Sequence, residues 1–322
     1  VSPQGVSENG TVAEAGEFGL IRAITRDRRQ PAPTLLGPGD DAAVVAAPDG
    51  RIVATTDVLV QGVHFRLDWS TAEQVGRKAI AVNLADIAAM GAKPTSVLIG
   101  LACPADTQTT VITELTDGMW AEATRAGVGI VGGDMVRAPQ LVISVTALGD
   151  LGGRAPVTRS GAQPGDVLAV CGRLGWAAAG LAVLGRGFRS PAGVVNAQRW
   201  PEPSYEAGLA AADGGATSMI DVSDGLLADL GHIAAASEVG IDVQTARIVL
   251  PERLIEVGSA LGVDPLRWVL TGGEDHALAA TFPAPTALPE GWTRIGSVTT
   301  PGAGVTVDGK AYDHAGGWEH WR

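Results

Sequence analysis

Two neighbouring stretches decide the reading: R-I-V-A-T-T-D-V-L-V-Q-G-V-H-F, Arg51 to Phe65, and V-G-R-K-A-I-A-V-N-L-A-D-I-A-A-M-G-A-K-P, Val75 to Pro94. From Arg51 to Val60 the β-branched residues Val53, Thr55, Thr56, Val58 and Val60 predict a strand leaving a turn at Gly50. The second stretch predicts a helix with Ser70 or Thr71 as N-cap, an apolar stripe through Val75, Ala79, Val82 and Met90, and Gly91 as its stop. Asp57 falls inside the strand and Asp86 on the apolar stripe. Both carboxylates are therefore expected to be buried, where an unpaired charge is costly. One divalent cation would answer both, because hard cations such as magnesium take oxygen ligands from aspartates, threonine hydroxyls and backbone carbonyls.

Working outward, 322 residues suffice for two domains, and 46% hydrophobic residues with 44 glycines describe a globular, turn-rich chain. A formal charge of −12 argues against a nucleic-acid partner, which needs a basic face. It leaves room for anionic small ligands if metal ions intervene. Cys103 and Cys171 have no metal or redox spacing and read as reduced and structural. No run of eighteen apolar residues exists and the first ten residues are polar, so the expectation is a cytoplasmic protein with no membrane partner.

Residues 1–15 read as a disordered leader and Glu17–Ile24 as a helix. Asp40 and Asp41 open a strand over 42–47. Further strands are expected over 94–101, 141–148, 166–171 and 218–221, with helices over 106–126 and 175–184. The residues from there to Pro203 show no pattern. Gly149–Gly165 has the Gly/Pro density of a domain junction and contains Arg154 and Arg159, either of which could fork onto a phosphate. Domains of 16–150 and 151–322 follow.

Gly127, Gly129 and Gly132 spell a dinucleotide fingerprint in the wrong context, since the segment closes a helix and contains a strand. What remains is a Gly132-Gly133-Asp134 turn at a strand end, able to approach a phosphate and hold a metal on it. In D-V-S-D-G-L, Asp221 ends a strand and Ser223 or Asp224 caps the next helix; Asp229 adds more acid than a cap needs. T-G-G-E-D-H presents Glu274 and Asp275 on a glycine turn. G-V-T-V-D-G-K, Gly304–Lys310, misses the P-loop because Ala311 stands where Ser or Thr is required, and Asp308-Gly309 reads as a hairpin turn. Trp318 and Trp321 make the C-terminal tail too aromatic for idle chain. Carboxylates and glycine turns, without a nucleophilic triad, suit phosphoryl transfer.

The strings G-D-D-A-A-V, T-T-D-V-L-V-Q-G-V-H-F, A-V-N-L-A-D-I-A-A-M-G-A-K-P, G-G-D, T-R-S-G-A-Q-P-G-D, D-V-S-D-G-L and T-G-G-E-D-H, in this order, resemble the thiamine-monophosphate kinases. That family shares a superfamily with aminoimidazole ribonucleotide synthetase. The resemblance implies a two-domain α/β (α+β) fold, with an N-terminal mixed sheet that forms a barrel across a homodimer and a C-terminal α/β domain. It implies ATP-dependent conversion of thiamine monophosphate to thiamine diphosphate. It implies magnesium ligands at Asp41, Thr55, Thr56, Asp57, Asp86, Asp134, Asp221 and Asp224, with Asp57, Asp86, Asp134 and Asp224 catalytic through the metal. ATP contacts are implied at Gly133, Asp134, Arg159 and Ser223, and thiamine-phosphate contacts at His64, Glu274 and Trp318. The alternatives are another ATP-using enzyme of the superfamily, or a silent magnesium- or nucleotide-binding protein.

Overall fold

A computed structural model describes residues 10–15, 17–36, 43–300, 302 and 304–312. In chain order the elements are α1 (Val12–Ala15), α2 (Glu17–Thr25), β1 (Thr34–Leu36), β2 (Val44–Val45), β3 (Val53–Val60), α3 (Ala72–Ala89), β4 (Lys93–Cys103), α4 (Thr109–Ala126), β5 (Gly129–Arg137) and β6 (Val142–Asp150). They continue as β7 (Val167–Cys171), α5 (Trp176–Gly185), α6 (Ala192–Arg199), α7 (Tyr205–Asp213), β8 (Ser218–Val222), α8 (Leu226–Ser237), β9 (Gly240–Val243), α9 (Glu252–Leu261), α10 (Pro265–Thr271), β10 (Ala277–Phe282), β11 (Thr293–Thr299), β12 (Val305–Val307) and β13 (Lys310–Ala311). The residues form two compact units: one through Ile87 together with Pro94–Gly152, the other Ala88–Lys93 together with the chain from Gly153.

The first unit carries a four-stranded mixed sheet in the order β3-β6-β4-β5, antiparallel between β3 and β6 and parallel between β4 and β5. Its central helix is α3, which starts with a reciprocal capping box: the Thr71 hydroxyl accepts from Gln74 N–H at 3.2 Å and the Gln74 side chain accepts from Thr71 N–H at 3.0 Å. Thr71 is therefore the N-cap, and Gly91 at φ +68° ends the segment as expected. Ala79, Ile80, Leu84 and Ile87 are fully buried, which makes α3 apolar on more than one stripe. Residues 10–15 correct part of the expected leader. Val12–Ala15 makes a helical turn, tied to the approach to α4 by Val12 N–H on the Thr107 carbonyl (2.9 Å) and the Thr109 hydroxyl on the Gly10 carbonyl (3.0 Å).

The second unit is a seven-stranded sheet, β13-β12-β9-β11-β7-β10-β8, antiparallel except where β12 runs alongside β9. Helix α8 covers it through Leu226, Leu230 and Ile233, packed with Leu168, Ile220, Ile241 and Ile295. The patternless stretch before Pro203 contains α6, whose Val194, Val195 and Ala197 are buried. Eight residues between Pro191 and Pro201 are too short to display a helical period. Asp308 and Gly309, at φ +51° and +75°, form the anticipated hairpin turn between β12 and β13. Both cysteines are buried free thiols whose pKa values burial pushes up, in keeping with a structural role.

Candidate functional site

In the first unit, β3 and α3 bring together the residues on which the sequence reading turned. The Thr55 hydroxyl donates to Asp86 Oδ2 at 2.8 Å. Three residues earlier on α3, the fully buried Asn83 accepts from Asp57 N–H at 2.9 Å and donates its amide to the Ala79 carbonyl at 3.0 Å. Asn83 and Asp86 share a helix face at this spacing, so the helix clamps the outer edge of β3 at two points. The expected burial of both carboxylates is corrected here. Asp57 is exposed and Asp86 only half-buried, because β3 is an edge strand of its sheet. The Thr56 hydroxyl turns to the neighbouring strand, donating to the Val145 carbonyl at 3.0 Å and accepting from Thr146 at 3.2 Å.

His64 sits on the turn that leaves β3. Its Nδ1 accepts from Val60 N–H at 3.0 Å, which places the proton of the neutral ring on Nε2 and makes that nitrogen a donor. The buried Lys78 of α3 holds the His64 carbonyl at 3.2 Å. Gly132-Gly133-Asp134 is not a turn but lies within β5. The register slips between Val97 and Leu98, whose β5 partners are Ile130 and Gly132, so Val131 is bulged out. A Cβ on Gly133 would lie 2.1 Å from the Ile99 carbonyl oxygen, so this glycine is required by the approach of β4.

In the second unit, β8 delivers Asp221, Ser223 and Asp224 to the start of α8. The expected cap at Ser223 or Asp224 is corrected: Gly225 is the N-cap, and Asp229 Oδ2 reaches back to accept from Asp224 N–H (3.1 Å) and Gly225 N–H (3.0 Å). Burial, and then the charges of Asp221 and Asp224, push the Asp229 carboxyl up to about 7 despite those two amides. Asp221 Oδ2 also meets His276 Nδ1 at 3.0 Å, both side chains being buried.

The loop from Thr271 to His276 locks against this corner. Glu274 N–H donates to the Ser223 carbonyl (2.7 Å) and His276 N–H to the Val222 carbonyl (3.0 Å). A Cβ on Gly225 would be 2.7 Å from the Thr271 carbonyl oxygen, and one on Gly273 would be 2.3 Å from that of Ser223. Asp275, read as a turn carboxylate, is buried and accepts from Gly175 N–H (2.6 Å) and Ala177 N–H (2.8 Å) at the start of α5. Arg154 of the junction is taken up by Asp213 in a two-pronged ion pair at 2.6 and 3.1 Å. Arg159 is exposed and makes no side-chain ion pair among the described residues, though its carbonyl accepts from Ser237. Asp41 and Trp318 lie outside the described residues.

These donors fit magnesium. Among the described residues no three His, Cys, Asp or Glu side chains stand ready to hold a metal on their own. Magnesium is ordinarily bound by one or two carboxylates completed by water and substrate phosphates. Burial first, and then the charges of Asp221 and Asp224, raise Asp229, and the second of these is the kind of repulsion a cation relieves. Asn83, Gln198, Asp275 and His276 were not anticipated as supports; an asparagine in the middle of a helix was the one available signal.

Comparison with known proteins agrees with this arrangement. The family model for the AIR synthase related protein, N-terminal domain, matches residues 39–151, and that for the C-terminal domain matches 163–274. Fold and site thus define an AIR synthase-related protein. The thiamine-monophosphate kinase of Mycobacterium tuberculosis is 54% identical over 314 residues, 97% of this chain and 94% of that one. The chain belongs to the thiamine-monophosphate kinase family. Among solved structures, the thiamine-monophosphate kinase of Stenotrophomonas maltophilia K279a is 36% identical with a TM-score of 0.78, covering 91% of this chain and 95% of its own. AaThiL complexed with AMPPCP and TMP is 33% identical with a TM-score of 0.78, covering 98% and 100%.

Proposed function

We propose that this chain phosphorylates thiamine monophosphate to thiamine diphosphate with ATP, by direct in-line transfer of the γ-phosphoryl group and with the help of magnesium. The phosphorylation itself is the activity of the family, represented by the M. tuberculosis relative and by the AaThiL complex with AMPPCP and TMP. The observation that carries the finer reading is the pair of acidic centres, Thr55 with Asp86 beside Asp57, and Asp221 with Asp224 over Asp229. Each offers carboxylate oxygens, and magnesium ordinarily takes one or two carboxylates and completes its shell with water and phosphate oxygens. Magnesium, when bound, neutralises phosphate charge and holds the two polyanions in position.

The chain's own residues do the rest. A phosphate monoester has a second pKa of about 6, so the attacking oxygen is ionised near neutral pH and needs no general base. His64, with its proton on Nε2, donates to the substrate phosphate. Arg159 and Ser223 contact the nucleotide, with Gly133 and Asp134 on the strand that faces it in this reading. Glu274 accepts from the aminopyrimidine, and Trp318 stacks on the cationic thiazolium. Asp41, Thr56 and Asp134 complete the proposed ligand set.

The same proposal includes domains of 16–150 and 151–322, supported by the two compact units. It also includes a homodimer closed through the first sheet, supported by exposed Val58, Leu98 and Val136 on β3, β4 and β5. No helix among the described residues is long and apolar enough to cross a membrane, and a cytoplasmic location is proposed. The test is an assay of ATP, magnesium and thiamine monophosphate that follows thiamine diphosphate by chromatography. Chelator-sensitive product is expected; nucleotide binding without product would move the acceptor elsewhere in the superfamily.

A further inference from the structure

Glu274 is held in an unusual way. Its backbone sits at φ +67°, a left-handed conformation that side-chain-bearing residues rarely adopt. The clamps already described, Glu274 and His276 amides on the β8 corner and Asp275 on the start of α5, fix the loop on both flanks. With the backbone fixed, the direction of the carboxylate is set by what meets it. On the α6 face Gln198 donates its Nε2 to Glu274 Oε2 at 3.1 Å.

Gln198 is 7% exposed. Its stem packs against α5, where a Cβ on Gly180 would come within 3.0 Å of the Gln198 Cβ. Burying an amide at a helix–helix contact is unfavourable unless it is hydrogen-bonded, and an aliphatic side chain would fill the same space without that cost. The choice of donor matters too. An arginine or lysine here would pair with Glu274 and cancel its charge. A neutral amide orients the carboxylate and leaves the charge in place, and a carboxylate accepts several hydrogen bonds, so one donor does not exhaust it.

We infer that Gln198 is a positioning residue for thiamine phosphate, aiming the Glu274 carboxylate at the aminopyrimidine while preserving its charge. The inference rests on the reading of Glu274 as the substrate's acceptor. Helix α6 is thereby part of the specificity apparatus and not merely a cover for α5.

Three variants test it: Gln198→Leu, Gln198→Glu and Glu274→Gln. The second keeps the packing of the stem and removes the amide donor, so it serves even if the first folds poorly. Affinity for thiamine monophosphate is read by titration calorimetry, and KM for thiamine monophosphate and for ATP by steady-state kinetics. Both Gln198 variants are expected to weaken thiamine monophosphate about tenfold, the effect of misplacing one hydrogen bond to a charged group, with KM for ATP unchanged. Unaltered thiamine monophosphate affinity in Gln198→Glu, or an equal loss for both substrates, would overturn the positioning role. If Glu274→Gln itself binds thiamine monophosphate normally, the reading of Glu274 fails and the inference with it. If Glu274→Gln is impaired and the Gln198 variants are not, only the inference falls.

Discussion

Replacing Asp275 by asparagine separates two opposing forces on one buried group. The start of α5 offers two amides at 2.6 and 2.8 Å, which favour the carboxylate, while near-complete burial favours the acid. Burial wins and pushes Asp275 up to about 7 from 3.8. The native state thus holds a proton that the unfolded chain has released. Its contribution to stability is full below pH 3.8, is lost as pH climbs from there to about 7, and is flat above. At about 1.4 kcal/mol per pH unit the loss has a ceiling of about 4 kcal/mol. Asparagine cannot ionise, but it turns an NH2 group towards one of the two α5 amides, leaving a donor against a donor at a cost of about 1–3 kcal/mol. In urea denaturation the variant's deficit relative to the parent should therefore be about 2 kcal/mol larger at about pH 5.5 than at about pH 8.5, because over that range only the parent loses stability. An identical deficit at both pH values would mean that the carboxylate is ionised throughout, and would refute the claim that desolvation outweighs the helix amides.

Asp57→Asn and Asp86→Asn should each lower turnover about a hundredfold or more by removing a charge that supports phosphoryl transfer. The denaturation midpoint of the exposed Asp57→Asn should stay unchanged, and near-normal turnover in either variant would remove these residues from the site. Gly133→Ala drives a methyl into the Ile99 carbonyl, so β4 and β5 must part, and a loss of about 1–3 kcal/mol in denaturant stability is expected. Asn83→Leu deletes the acceptor for Asp57 N–H and is expected to raise the magnesium concentration needed for half-maximal rate more than it raises KM for ATP. Equal changes in both would make Asn83 a packing residue only.

What could be read from the sequence was whatever looked chemically out of place in its local structure. Asp57 in a β-branched run and Asp86 in an apolar helix stood out because neither suits its surroundings. They were singled out for a partly wrong reason, since Asp57 is exposed on an edge strand that only the sheet order reveals. The helix cap at Thr71, one of the two residues expected, and the hairpin at Asp308-Gly309 were accessible because their chemistry closes within a few residues. Gly132-Gly133-Asp134 was misread as a turn because the strand that pairs with it, through Ile99, is distant in sequence and is placed by a bulge that no local pattern encodes. Asn83, Gln198 and Asp275 were missed for a related reason: each acts on a group brought to it by the fold, 26, 76 and 98 or 100 residues away. Two of these three are amides beside acids, and this has a physical logic. If, as proposed, the site presents negative charge to metal ions and to a cationic ring, its carboxylates cannot be held by arginine or lysine without losing that charge. Neutral amides give direction without neutralisation. In the proposed site Gln198 does this for the Glu274 carboxylate, whereas Asn83 holds Asp57 by its backbone N–H.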